Sequence, residues 1–206
     1  YFEAVAQLSR AKSDLSQIVF SVPSGNFGNL TAGLFAKAMG LPIKRFIAAT
    51  NANDTVPRYL ETGEWQPHDT VATISNAMDV GNPSNFIRIQ ELFDNDIDKL
   101  KEQFSSYSFT DSQTKEAMKE IKERSGYIAD PHGAVGYLGT QEYLKNNPDT
   151  FCVFLETAHP VKFLDVVEET LEVIVDIPQQ IQEVMHKEKV AKQISSYNEL
   201  KAYLNS

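Results

Sequence analysis

Pro23-Ser24-Gly25-Asn26-Phe27-Gly28-Asn29 is the stretch of this chain best suited to chemistry. It separates a short apolar, β-branched run at 17–22 from a helically spaced run at 30–39. Glycines here let the backbone turn sharply and approach a ligand with no Cβ in the way. The loop amides, with the first unpaired N–H groups of the following helix, then form a cradle for a phosphate. A nucleotide P-loop would end in Gly-Lys-Ser/Thr, whereas Gly28 is followed by Asn29 and Leu30. The glycine spacing is not that of a dinucleotide fingerprint either. The expected ligand is a single terminal phosphate held by neutral donors. The same string also reads as a plain Gly/Asn-rich turn with no ligand.

Other candidates are sparser. Thr157 follows an apolar run at 151–155 that reads as a strand, and Gly25 follows another. Ligands of open parallel sheets sit at that carboxyl edge. Thr157 also reads as an N-cap ahead of a helix beginning near Pro160. Arg58, Ser75, Asn76, Asp79, Asn82, Ser84 and Asn85 form a polar set that could line a pocket or simply make turns and caps. His68, His132, His159 and His186 show no metal-ligand spacing, and His132 and His159 read as caps or packing residues. Cys152, the single cysteine, excludes an internal disulfide and a cysteine metal cluster, and it reads as a small core residue.

These residues need elements to position them. Residues 1–14 read as one amphipathic helix already under way at Tyr1, with Tyr1, Val5, Leu8 and Leu15 spaced for one face. An uncapped start inside a helix points to a piece of something longer. Strand 17–22, helix 30–39, a stop at Gly40-Leu41-Pro42 and strand 43–49 make a βαβ unit with parallel strands. Next come a helix near 54–61, a short strand at 70–74, and helices over 85–123 broken near 104–110. Asp130-Pro131 starts a helix over 132–146; strand 151–155, helix 160–171 and a charged, weakly amphipathic helical tail follow. The fold class expected is α/β, a three-layer αβα arrangement around a mainly parallel sheet. Its main α/β portion spans 1–165, with a helical C-terminal extension over 166–206.

Composition sets the outer limits. The chain has 206 residues, 42% hydrophobic and 23% charged, which is ordinary soluble globular usage. No stretch has the apolar length of a membrane span, and the N-terminus lacks a secretory pattern. A net charge of −9 argues against nucleic acid or anionic membranes as partners. It does not exclude an anionic small ligand met by local amides. A reducing cytoplasm suits this cysteine usage.

Ser24-Gly25-Asn26-Phe27-Gly28-Asn29 resembles the cofactor-phosphate loop of threonine synthases, pyridoxal-phosphate enzymes of fold type II in the tryptophan-synthase-β-like group. Further blocks are similar to the same family, in the same order. They are Ala49-Thr50-Asn51-Ala52-Asn53-Asp54 with Arg58-Tyr59 and Thr62-Gly63, and Ser75-Asn76-Ala77-Met78-Asp79-Val80 with Pro83-Ser84-Asn85-Phe86. Asp130-Pro131-His132 with Ala134-Val135-Gly136, and Thr157-Ala158-His159-Pro160 with Lys162-Phe163, complete the series. The resemblance implies that Gly25, Asn26, Phe27 and Asn29 bind the phosphate of pyridoxal 5'-phosphate and that the Thr157 hydroxyl meets its ring nitrogen. A hydroxyl there, unlike a carboxylate, does not hold that nitrogen protonated. The chemistry is thereby steered towards elimination and replacement rather than transamination.

The family reaction implied is the conversion of O-phospho-L-homoserine and water to L-threonine and phosphate. The lysine that holds the cofactor covalently belongs, in this family, to a block well before the phosphate loop. None of the 14 lysines here sits in such a context. No catalytic residue is therefore expected in this chain, which should need the missing N-terminal half for activity. Two smaller departures stand out: Gly133 replaces a usual threonine after His132, and Leu155-Glu156 precedes Thr157 where small residues are common. The competing readings are another fold-type-II enzyme, such as a dehydratase or phospholyase, and a non-catalytic binding domain. An open sheet lacking neighbouring strands would also favour self-association.

Overall fold

A computed structural model describes residues 1–11 and 17–206. The first expected helix is α1, Phe2–Ala11; residues 12–14 of that expectation, and Leu15, lie outside the described residues. The chain continues through β1 (Ile18–Pro23), α2 (Gly28–Ala38), β2 (Arg45–Thr50) and α3 (Thr55–Thr62). After a 3-10 turn at Asn76–Met78 come α4 (Phe86–Leu92), α5 (Ile97–Gln103), β3 (Phe104–Ser108) and α6 (Asp111–Ser125). Then follow α7 (Pro131–Leu144), β4 (Phe151–Phe154), a 3-10 turn at Pro160–Phe163, and α8 (Leu164–Leu171).

The four strands form one sheet in the order β3-β2-β1-β4, every neighbouring pair parallel. β1 is buried along its whole length, and its alternation separates two cores. Ile18, Phe20 and Val22 join Phe46, Ala48 and Phe104 against Leu30, Leu34, Phe86 and Leu100, from α2, α4 and α5. On the other face Val19 and Ile47 meet Tyr143 of α7, and α6 and α8 close over α7 through Met118, Ile121, Val167 and Leu171. This is the expected α/β layering. Strands covered on both faces read as continuous apolar runs, which is why β1 and β2 were legible.

α7 lies unusually close to the sheet. A Cβ on Gly139 would sit 2.6 Å from Ser21 Oγ and 3.0 Å from Ala49 Cβ. Ser21 donates its hydroxyl to the Gly136 carbonyl at 2.6 Å, which satisfies a buried polar group on that face.

Two sequence expectations fail. Residues 70–74 form no strand, because side chains rather than a neighbouring strand meet their amides. Val71 N–H donates to Asn53 Oδ1 (2.9 Å), Thr73 N–H to Asp79 Oδ2 (3.0 Å) and Ile74 N–H to Asp111 Oδ1 (3.2 Å). Conversely, the break expected near 104–110 contains β3. Its Ser105-Ser106 pair hides the strand signal, and α5 runs straight into it. Arg45 clamps this junction by donating to Ser105 Oγ (3.1 Å), to the Glu102 carbonyl (2.8 Å) and to the Lys101 carbonyl.

Tyr1–Val175 forms one compact unit and Asp176–Ser206 a second. The second carries α9 (Gln179–Met185) and α10 (Tyr197–Leu204), neither with a buried residue. Among the described residues no helix is long and apolar enough to cross a membrane.

Candidate cofactor site

β1 ends at Pro23, and the chain turns through Ser24, whose amide donates to the Ala49 carbonyl of β2 at 2.8 Å. Gly25 must then pass under the turn Asn76–Met78: a Cβ there would lie 2.6 Å from the Met78 Cα. Phe27 adopts the left-handed conformation (φ 63°) as N-cap of α2, a region uncommon for a residue with a side chain. Its ring holds it there, buried edge-on against Phe86 at a centroid distance of 5.3 Å. The side chain is thus core, and the backbone is what Phe27 offers to a ligand.

Helical pairing begins only with Thr31, whose amide donates to the Phe27 carbonyl at 3.0 Å. Among the described residues, the amides of residues 25–30 have no acceptor within the protein. They gather at the positive end of an eleven-residue helix, which is a ready anion site. Neighbouring groups brace the loop. Tyr1 donates its hydroxyl to the Asn29 carbonyl (2.7 Å), and Asn26 Oδ1 accepts from the Asn85 amide (3.1 Å) at the start of α4.

Residues 25–29 of this loop line a cavity of about 290 Å³ together with Met78, His132, Thr157 and Lys162. All five residues singled out from the sequence therefore meet in one place. β4 lies beside β1, so Thr157, three residues past its end, joins Gly25 at the carboxyl edge of adjacent strands. Thr157 is exposed and is not the cap of the following turn. His159 fills that role, its Nδ1 accepting from the Val161 amide at 3.1 Å.

Sequence reasoning passed over two lining residues. The sequence reads His132 as a cap or packing residue and gives Lys162 no role beyond its place in a family-like block. His132 is 3% exposed, and its ring packs on Phe163 at 4.5 Å. The fully buried Asp130 caps α7 by accepting from the His132 amide at 2.8 Å, and its Oδ1 also meets His132 Nδ1 at 2.6 Å. A carboxylate only accepts, so His132 Nδ1 is the donor of this contact. Burial alone would raise the Asp130 carboxyl; the ring and amide of His132, with the neighbouring Glu156, outweigh it and hold the group below its usual range. Asp130 beside a helix start was visible in the sequence, but the cavity behind it was not.

Of the polar set, Ser84 and Asn85 meet the loop through Asn26, whereas Ser75, Asp79 and Arg58 are occupied elsewhere. Ser75 and Asp79 accept from Asn51 Nδ2 at 3.1 and 2.8 Å inside a buried network. Arg58 pairs with Asp54 at 2.9 Å. Burial pushes the Cys152 thiol up to about 11, so at neutral pH it is an uncharged packing group. Among the described residues no cluster of three or more His, Cys, Asp or Glu is placed to hold a metal ion.

The residues fit a phosphate ester on a planar ring: free amides at one end of the cavity, and a neutral hydroxyl at the end of the neighbouring strand. Fold and site together define an α/β architecture of the fold-type-II kind, with an anion cradle at the carboxyl edge of a parallel sheet. The chain belongs to the pyridoxal-phosphate dependent enzyme family, which matches residues 1–156. The family described as threonine synthase, C-terminal, matches residues 133–204. Threonine synthase from Serratia marcescens is 55% identical over 171 residues, covering 83% of this chain and 38% of that protein. The crystal structure of threonine synthase from Escherichia coli superposes with a TM-score of 0.89 at 47% identity, covering 100% of this chain and 47% of that one. A threonine synthase from Brucella melitensis solved with pyridoxal phosphate bound gives a TM-score of 0.79 at 31% identity, covering 89% of this chain and 44% of that one. The chain thus spans less than half the length of these relatives.

Proposed function

We propose that this chain is the part of a threonine synthase that grips the phosphate and ring of pyridoxal 5'-phosphate. The whole protein would then act as a carbon–oxygen lyase on a phosphate ester, turning O-phospho-L-homoserine and water into L-threonine and inorganic phosphate. The observation that carries this reading is the convergence of residues 25–29, whose amides are unpaired, and Thr157 on one cavity. When bound there, the cofactor supplies an electron-withdrawing ring that stabilises negative charge developing on the substrate's carbon chain.

This chain's own contribution is binding and orientation. Gly25, Asn26, Phe27 and Asn29 direct amides at the phosphate, and the helix dipole of α2 adds to the attraction. Thr157 offers the ring nitrogen one hydrogen bond and no negative charge. Lys162 lines the cavity, and its Nζ lies 5.5 Å from the centre of the Phe163 ring. It stands on the strand-end side with Thr157 and supplies positive charge to an anionic substrate. The lysine that holds the cofactor covalently is assigned to a preceding part of the longer protein.

The experiment is release of inorganic phosphate from O-phospho-L-homoserine with pyridoxal phosphate present. The protein extended to the full length of its relatives should turn over, and the 206-residue chain should not. Robust turnover by this chain alone would sink the claim about the lysine. A full-length protein that binds the cofactor but leaves this ester intact would sink the substrate assignment.

A further inference from the structure

Glu156 immediately precedes Thr157, yet its carboxyl is turned away towards the first turn of α7. It seats on Gly133: a Cβ added there would lie 1.9 Å from Oε1 and 2.2 Å from Cδ. Asp130 caps the same turn and is fully buried. If both carboxyls were ionised, they could only accept. Asp130 Oδ2 and both Glu156 oxygens, all shielded from water, would then have no donor. Orphaned charges of that kind are costly, and two carboxylates at one helix start repel. A single proton resolves the conflict by making Glu156 the donor and Asp130 the acceptor.

We propose that Glu156 is held as a neutral acid that donates to Asp130, and that this pair is a clasp joining the two sides of the cofactor cavity. This rests on the site reading above. One end of the clasp is followed directly by Thr157. The other, Asp130, fixes the His132 ring, and both His132 and Thr157 line the cavity. Glu156 is a positioning residue: it ties the end of β4 to the start of α7, so that His132 and Thr157 keep a set separation.

The electrostatics run the same way. Burial, then the hydrogen bond and charge of Asp130, push the Glu156 carboxyl up to about 9. Other titratable or charged groups face it from each packed element. They are Asp130 and His132 from α7, Tyr127 from the segment before it, and Arg124 of α6 and Tyr137 of α7, which share a second cavity with Glu156. A folded value raised above the ordinary 4.5 means that the clasp's stabilisation is whole below that value. It drains as pH climbs towards about 9.

The test uses the full-length protein with Glu156→Gln, whose amide still donates to Asp130, and Glu156→Ala, which cannot. Thermal midpoints without cofactor are compared from about pH 5 to 10. The wild-type midpoint should fall relative to Glu156→Gln across that range and level off at the top. Pyridoxal phosphate affinity, followed by absorbance near neutral pH, should stay within about threefold for Glu156→Gln and drop about tenfold or more for Glu156→Ala. Parallel midpoint curves for wild type and Glu156→Gln would overturn the neutral acid. Gln destabilised at neutral pH would do the same, because it would mean an ionised Glu156 paired to a cation elsewhere in the protein. Equal affinity losses for Gln and Ala would overturn the positioning role. A wild type that binds no cofactor at neutral pH counts against the site reading and the positioning role together, while the midpoint comparison still decides the protonation of Glu156.

Discussion

Replacing Gly25 by alanine tests the cradle at its tightest point. The new Cβ would sit 2.6 Å from the Met78 Cα and 3.1 Å from both the Met78 carbonyl carbon and oxygen. Ordinary carbon contacts begin near about 3.5 Å, so something must move by about 0.9 Å. The obstacle is backbone, so no side-chain rotation relieves it. Either the turn Asn76–Met78 lifts away, or the loop shifts and its amides lose their aim. Overpacking of this kind costs about 2 kcal/mol. Taken by the fold, that lowers the thermal midpoint by roughly 4–8 °C for a unit of this size. Taken by the loop, it weakens cofactor affinity about 30-fold. The assay is a paired measurement of melting and of pyridoxal phosphate titration in the full-length protein. Gly28→Ala is the control, since its Cβ would meet only Asn85 Nδ2 at 3.6 Å, and its stability should stay within about 0.5 kcal/mol of wild type. If Gly25→Ala melts and binds as wild type does, the contact with Met78 is not limiting and the reasoning fails.

Two further substitutions probe the neighbourhood. Phe27→Ala removes a ring that is 3% exposed and packed on Phe86; urea denaturation should show a loss of about 3–5 kcal/mol, and a loss under 1 would mean that the loop is not anchored by that ring. Gly133→Thr drives a side chain into the Glu156 carboxyl, 1.9 Å from the new Cβ. It should cost about 1–3 kcal/mol alone. Adding Glu156→Gly should return much of that loss, and a double-mutant cycle with no coupling would refute the contact.

Legibility followed burial and locality. The loop at 23–29 was readable as a strand-to-helix turn because glycines, a preceding apolar strand and a following helix are all local signals; Gly25, Asn26, Phe27 and Asn29 line one cavity with Thr157. β3 escaped because Ser105 and Ser106 do not look like strand residues; pairing with β2, and Arg45 reaching across to it, make them so. Residues 70–74 erred in the opposite direction. Thr70, Val71, Thr73 and Ile74 are β-branched and suit a strand, but Asn53, Asp79 and Asp111, far apart in sequence, took the backbone donors first. Gly133 and Glu156 were each visible as departures from the family pattern. That one is the space the other fills needed the fold, because 22 intervening residues bring them together.

The seating of α7 on bare backbone has a mechanical consequence. At Gly136 and Gly139 the helix puts no side chain of its own between itself and the sheet, and its backbone rests directly on Pro23, Ser21, Ala49 and Ile47, so a shift of one is passed to the other. His132 at one end of that helix is therefore registered to the strand ends as rigidly as the strands are to each other. A methyl group introduced on the underside of α7, about two helical turns from His132, would tilt the helix as a lever and displace the ring in the cavity without touching it.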